Sequence, residues 1–399
     1  MSHSTKVRRC AVLLVEPRDQ LTLDLAGLLS GGNALATSVE WVVLAPHVGV
    51  EVTIDAHELA ALGVIGETSW MPTELLAKQV APAVVESLLA KGLLIGDAPD
   101  NADMCARDEA VRAGHWRPLS AVAHYFTRWS DAGVGEDVRL TRHRSLTDLV
   151  NEHGPPPPHL TERVPQDRRI ALAPQRSSVL DELFRRRATC RNYDIESLLD
   201  AADFSDLLRR VFGCHDVVEV IPGAMGLKKS NPSGGGLHPL EAYLLVRRVQ
   251  GVEPGIYHYH VAAHALEPMQ GLDRDRASEL ANLFVAGQEF FADAHVQVIL
   301  TARFRRTFWK YRNHPKAYRA IVLEVGHVSQ NLYLAATELG LGAYVTAAIN
   351  EIDIERALGL DELQESPIAV CGFGPRASHK TMLEFDPLGA VWNEEGRRR

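Results

Sequence analysis

Cysteine is scarce in this chain and badly placed for cross-linking. The 399 residues hold five, Cys10, Cys105, Cys190, Cys214 and Cys371, an odd number, widely scattered and with no CxxC pair. That pattern suggests neither a disulfide framework nor a thiolate metal site. Long apolar runs are also missing: none approaches the roughly 18 residues that span a bilayer, and the start MSHSTKVRRCAVLLVE has no signal-peptide cleavage pattern. The expectation is a soluble, cytoplasmic protein that engages no membrane. Excess positive charge is absent too, since the formal net charge is -9, which argues against a chain built to coat nucleic acid. What is present, 46% hydrophobic and 23% charged residues, is ordinary globular composition at a length that accommodates two or three domains.

The clearest break is NEHGPPPPHLTERVPQDRR, where four consecutive prolines hold an extended, semi-rigid connector. It divides the chain into an N-terminal domain (1–150), a linker (151–178) and a C-terminal domain (179–399). Upstream, WMPTELLAKQVAPAVVESLLAKGLLIGD places Leu75, Leu76, Val80, Val84, Val85, Leu88 and Leu89 at helical spacing before Gly92 and the short strand LLI. The helix, turn, helix, strand order reads as a winged-helix-like module. With only Lys78 and Lys91 as cations in that window, a peptide or partner surface is favoured over a duplex surface. Downstream, EAYLLVRRV, GIYHYHV and HVQVILTARF read as strands. YRAIVLEVGHVSQNLYLAATELGLG reads as a long helix with Ile321, Val325, Val328, Leu332, Ala335 and Leu339 on its apolar side, central or in a subunit interface. The class is α+β.

Four segments carry the chemistry. RRRATCRNYD gathers Arg185, Arg186, Arg187 and Arg191 about Thr189, guanidinium forks and a hydroxyl suited to a phosphate dianion, although such a run is more often a solvated helix end. In SNPSGGGLHPLEAYLLV three consecutive glycines remove every Cβ just before a strand, which suits close approach of a flat or anionic ligand but equally a tight loop. RFRRTFWKYRNHPKAYR has seven Lys or Arg and no acid, interleaved with aromatic rings. It is either a nucleic-acid stacking surface or a cationic wall around an aromatic cofactor, and the acidic remainder of the chain favours the second. CGFGPRASHK supplies a further Gly-rich turn with Arg376 and Lys380. The string His258, His260, His264 invites a metal, but no acid or Cys stands at matching spacing, and no metal site is assigned. Cys190 lies among arginines without a His beside it and reads as a packed thiol.

Taken in order, these segments resemble the FMN-dependent nitroreductase fold and, within it, the SagB-type dehydrogenases that oxidise ribosomally made peptides. The resemblance runs from about residue 180 to 380. It implies a dimeric, mostly antiparallel sheet flanked by helices, with bound FMN. It assigns Arg187, Thr189 and Arg191 to the phosphate and ribityl chain, and Pro232, Ser233, Gly234 and Gly235 to the loop against the isoalloxazine. Gly340, Leu341 and Gly342 become the segment that closes over the flavin, Arg376 or Lys380 completes the phosphate site, and Lys310 and Tyr311 are the acid–base pair. Where the family has a second arginine, this chain has Ala188; where it has a glycine soon after the Lys-Tyr pair, this chain reads Arg312, Asn313, His314, Pro315. The expected partners are a precursor peptide, a cyclodehydratase or other maturation enzyme, and a second copy of the chain. The expected reaction is peptide oxidation, for example azoline to azole. Two alternatives stand beside it, reduction of dehydroamino acids or of nitro or quinone compounds with NAD(P)H, and a non-catalytic peptide-binding scaffold.

Overall fold

The structure is a computed structural model and describes residues 5–23, 28–29, 31, 35–133, 146–173 and 178–399. It divides into two compact units. Unit 1 comprises residues 1–128 with two later stretches, 303–321 and 360–366; unit 2 comprises 129–302, 322–359 and 367–399. The cationic, aromatic stretch that follows the third long apolar strand thus belongs with the N-terminal residues, an arrangement no local pattern announces.

Unit 1 contains strands β1 (Lys6–Arg9), β2 (Leu14–Leu23), β3 (Leu35–Leu44), β4 (Glu51–Ile54), β5 (Met71–Pro72) and β6 (Leu94–Gly96). They form two three-stranded sheets ordered β5-β1-β6 and β2-β3-β4. Helix Ala56–Val64 begins at Asp55, whose carboxylate accepts the Glu58 amide while Glu58 reaches back to the Asp55 amide, so two otherwise orphaned donors are satisfied. The segment read as helix, turn, helix, strand forms helices Thr73–Leu76 and Pro82–Ala90 followed by β6, with Pro82 at the first helical position. Leu76, Val80, Val85 and Leu88 bury into a core shared with Val7, Val43 and Leu94, whereas Leu75 stays half exposed.

Unit 2 is built on a six-stranded sheet. After a two-stranded ribbon, β7 (Cys214–Ile221) and β8 (Ala224–Lys229), come β9 (Leu240–Val246), β10 (Gly255–His260), β11 (Ala265–Gly271), β12 (Val296–Arg303), β13 (Gly342–Thr346) and β14 (Glu365–Gly374). The spatial order is β11-β10-β9-β12-β14-β13. The pairs β11/β10, β10/β9, β9/β12 and β14/β13 are antiparallel. β9 and β12 are buried along nearly their whole length and predominantly apolar, while the edge strand β11 is largely exposed. The long helix spans Ala317–Glu338. Ile321, Val325, Val328 and Leu332 are buried within the single chain, and Val322 and Leu323 are its exposed large apolar side chains. It stops at Gly340, which is left-handed at φ 71°, while the Leu341 amide bonds back to the Ala336 carbonyl at 2.7 Å, the glycine-dependent closure of a helix C-terminus. Among the described residues no helix is long and apolar enough to cross a membrane.

Candidate functional site

The arginine-rich segment leaves helix Val179–Arg186 and runs as an extended strip beside the start of β13. Thr189 bridges Ala343, and the Cys190 amide donates to the Ala343 carbonyl at 2.9 Å. The Thr189 hydroxyl lies 3.0 Å from the Tyr333 hydroxyl on the long helix, and the Arg187 guanidinium rests 5.3 Å from the centre of the same ring. Arg191 faces Phe290 at 5.6 Å and donates to the Leu383 carbonyl at 3.3 Å. Neither Arg187 nor Arg191 is paired with a carboxylate among the described residues, so both retain donors for an anion.

Underneath, the strip is pinned by a carboxylate that sequence reading missed. Glu384 is buried, and its Oε1 accepts the Arg191 amide at 2.7 Å, the Asn192 amide at 3.1 Å and Asn192 Nδ2 at 2.8 Å. Its Oε2 accepts Arg376 Nη1 at 2.7 Å and Trp392 Nε1 at 2.9 Å. Burial would raise the Glu384 pKa, but the Arg376 charge and these donors together hold it below the ordinary carboxylate value. Arg376 gives its other terminal nitrogen to the Ala188 carbonyl at 2.9 Å. Its guanidinium therefore ties the strip to the C-terminal segment. Lys380 is partly exposed, its amide bound to the Gly396 carbonyl at 2.7 Å.

The glycine loop has its own buried anchor. Gly235 and Gly236 take φ values of 69° and 71°, a left-handed geometry that costs other residues about 1–2 kcal/mol. A Cβ at Gly236 would meet nothing within 4 Å. The freed face is thus open, as a ligand cradle requires, and Pro232, Gly234 and Gly235 are exposed along it. Behind it the Ser233 hydroxyl donates to Glu324 Oε2 at 2.5 Å and accepts the His238 amide at 2.8 Å, and Asn231 Nδ2 reaches Glu324 Oε1 at 3.3 Å. His238 Nδ1 stands 3.5 Å from the same carboxylate, an ion-pair distance without a hydrogen bond. Glu324 did leave a sequence signal: it falls three residues after Ile321 and four before Val328, on the helix's apolar side.

Gly340, Leu341 and Gly342 join the long helix to β13. A Cβ at Gly342 would lie 2.4 Å from Cys190 Sγ and 3.1 Å from Arg376 Cγ, so the strip and β13 approach each other as only glycine permits. Gly340 and Leu341 line an open cleft of about 410 Å³ with Arg186, Arg376 and Arg398. Arg398 donates to the Gly340 carbonyl at 2.7 Å. Cys190 is buried, its thiol pushed up to about 12 mainly by that burial, and its S–H points to the Asn192 carbonyl; the thiol is packed.

Lys310 and Tyr311 belong to unit 1. Both amides share the Thr307 carbonyl, at 3.2 and 3.1 Å, and Lys310 Nζ lies 5.5 Å from the Tyr311 ring centre. Lys310 is exposed and Tyr311 partly so. The three histidines divide in their contacts. His258 is held between Glu267 at 2.6 Å and Glu241 at 3.3 Å, partners on the neighbouring strands that linear spacing conceals. His264 joins the Tyr259 and Ser205 hydroxyls, and His260 accepts the Ala263 amide. Among the described residues no group of His, Cys, Asp or Glu is arranged to hold a metal ion.

Unit 2 therefore carries two candidate elements anchored on the same long helix, a pinned strip whose guanidinium groups have no carboxylate partner among the described residues, held at Tyr333, and an exposed glycine loop held at Glu324; the first suits an anionic group and the second a flat one. The nitroreductase family model matches residues 184–375, the stretch that carries this arrangement from Arg187 to Gly342. A Methanocaldococcus jannaschii protein described as a nitroreductase, MJ1384, is 35% identical over 183 residues, 46% of this chain and 85% of that one. The chain belongs to the nitroreductase family, and its α+β architecture is nitroreductase-like. It is also similar to two proteins named for the processing of trifolitoxin and of microcin B17. Trifolitoxin-processing protein TfxB of Rhizobium leguminosarum bv. trifolii is 32% identical over 155 residues, 39% of this chain and 41% of that protein, so the match spans less than half of TfxB. Microcin B17-processing protein McbC of Escherichia coli is 26% identical over 224 residues, 52% of this chain and 76% of McbC.

Proposed function

We propose that the protein is an FMN-dependent dehydrogenase of the SagB type that oxidises a ribosomally made peptide, with azoline to azole as the expected conversion. The similarity to two peptide-processing proteins carries this reading. FMN is favoured over FAD because the strip offers one phosphate cluster and the sequence has no Rossmann fingerprint for a second nucleotide half. In this reading Arg187, Thr189 and Arg191 hold the phosphate end. Pro232, Ser233, Gly234 and Gly235 line the ring, and Gly340 to Gly342 close the site. Arg376 and Lys380 serve the phosphate end from behind, Arg376 by holding the strip. Bound FMN would supply the two-electron acceptor for a hydride leaving the substrate carbon. Lys310 takes the proton released from the adjacent position, and Tyr311 orients it or relays that proton. The N-terminal residues, winged-helix-like in element order, receive the precursor peptide or a maturation enzyme such as a cyclodehydratase. The working form is a cytoplasmic homodimer.

The reductive reading is favoured by the M. jannaschii relative, and one experiment separates the two. FMN-loaded protein is mixed without oxygen with either the cognate peptide or NAD(P)H, and flavin bleaching is followed in a single turnover. Rapid bleaching by peptide is expected, with Lys310→Met slowed ~100-fold or more at unchanged flavin content and Tyr311→Phe slowed less or comparably. Bleaching by nicotinamide alone would favour the reductase, and a protein that stays colourless after incubation with excess FMN would refute both.

A further inference from the structure

The stretch that carries Lys310 and Tyr311 is clamped on both sides by residues 115–124, all within unit 1. On the near side Phe304 and Phe308 are buried against Trp116, with ring centres 4.5 and 4.7 Å away. On the far side Tyr318 lies 5.9 Å from Trp116 and 5.7 Å from His124. Between them the Asn313 amide donates to the His115 carbonyl at 3.0 Å. Both of those residues are left-handed, at φ 51° and 55°, a conformation that asparagine and histidine adopt more readily than most side chains.

The polar contacts are directional. Trp116 Nε1 donates to the Leu363 carbonyl at 3.0 Å. His124 Nε2 lies 3.0 Å from the Glu362 carbonyl, which can only accept, so Nε2 carries the proton and Nδ1 accepts the Tyr318 hydroxyl at 3.2 Å. Burial depresses the His124 pKa to about 4, which keeps this tautomer neutral at working pH. The bridge ties the helix start at Tyr318 to the 360–366 stretch through the one buried ring. Beyond the clamp, Trp309, Lys310 and Arg312 emerge exposed. Trp116, His124, Phe304 and Phe308 are buried while Lys310 is exposed beyond them, and for a group that acts in catalysis a displacement of about 1 Å can cost ~100-fold in rate.

We propose that His124, Trp116 and Tyr318 are positioning residues for Lys310 and Tyr311, so that residues 1–128 hold the proton-transfer segment in place as well as offering a surface for peptide. The proposal rests on the reading of Lys310 and Tyr311 as the proton-transfer pair.

The test uses the full-length, FMN-loaded protein. His124→Phe keeps an aromatic ring and loses both hydrogen bonds, and Tyr318→Phe removes one hydroxyl and guards against a folding failure in the first. Hydrogen exchange is compared at residues 305–316 and 322–338, beside kcat, KM and the pH profile of peptide oxidation. In His124→Phe, exchange at 305–316 should rise about tenfold or more while 322–338 and flavin content are unchanged. Its kcat should fall ~10-fold or more at unchanged KM, with a displaced inflection in the pH profile, and Tyr318→Phe should change in the same direction by less. Unchanged exchange at 305–316 in both variants overturns the proposal, as does a rate loss that merely tracks flavin loss. Should Lys310→Met oxidise peptide as fast as wild type, the proton-transfer reading fails, and exchange alone decides whether these residues position the segment.

Discussion

Glu384→Gln replaces one carboxylate oxygen with an amide nitrogen and should cost much of the protein's stability. In the native protein Oε1 takes three N–H donors and Oε2 takes two more, from Arg376 and Trp392, with both Glu384 and Arg376 buried. Glutamine keeps an acceptor at one position only. At the other, its amide group faces two donors that cannot turn away, and the Arg376 charge loses its counter-ion. Removing one partner of a buried ion pair typically costs about 3–5 kcal/mol, a large share of the roughly 5–15 kcal/mol of a whole domain. Acidification of the native protein should remove the part of this contribution that depends on the ionised carboxylate. The folded pKa of Glu384 lies below its ordinary value of 4.5, so its stabilisation is present above that pH and disappears as pH falls further. The difference between wild type and variant in urea unfolding should therefore be large at pH 7 and narrow on acidification. Because Glu384 also holds the Arg191 and Asn192 amides, FMN titration of the variant should show weaker binding, about tenfold for each 1.4 kcal/mol transmitted. A variant within about 1 kcal/mol of wild type at pH 7 that binds the proposed FMN normally would refute the assignment of Glu384 as the clasp of the Arg187–Asn192 strip.

Gly342→Ala places a Cβ 2.4 Å from Cys190 Sγ and should destabilise by about 1–3 kcal/mol through overpacking. Cys190→Ala should relieve part of that, since the Cys190 Cβ at 2.7 Å remains; strict additivity of the two changes in urea unfolding would count against the contact. His258, raised from 6.5 to about 8 by its hydrogen bonds to Glu241 and then Glu267, contributes stability that is complete below pH 6.5 and lost as pH rises through 8. With Glu267 half exposed, about 1 kcal/mol is expected. His258→Gln should thus be less stable than wild type at pH 6 and close to it at pH 9, and an equal gap at both pH values excludes the contacts of His258 with Glu241 and Glu267 as a source of pH dependence.

The sequence by itself determined three strands and the long helix of unit 2, and the family. Strands β9, β10 and β12 are short runs rich in apolar, β-branched or aromatic residues, and the long helix repeats apolar residues every three to four positions. Both are local consequences of strand and helix period. The glycine run and the arginines around Thr189 were legible for the same reason, as a chemistry concentrated in a few consecutive residues. Only the tertiary structure decided what holds those segments. Glu384 lies nearly two hundred residues from the amides it caps, Glu324 lies 91 from Ser233, and Trp116 gathers rings from Phe304 to Tyr318. Each is a buried polar or aromatic group whose meaning depends on partners brought close by folding. A single charge or ring in a sequence carries no record of which distant donor it must satisfy, and burial makes that satisfaction obligatory.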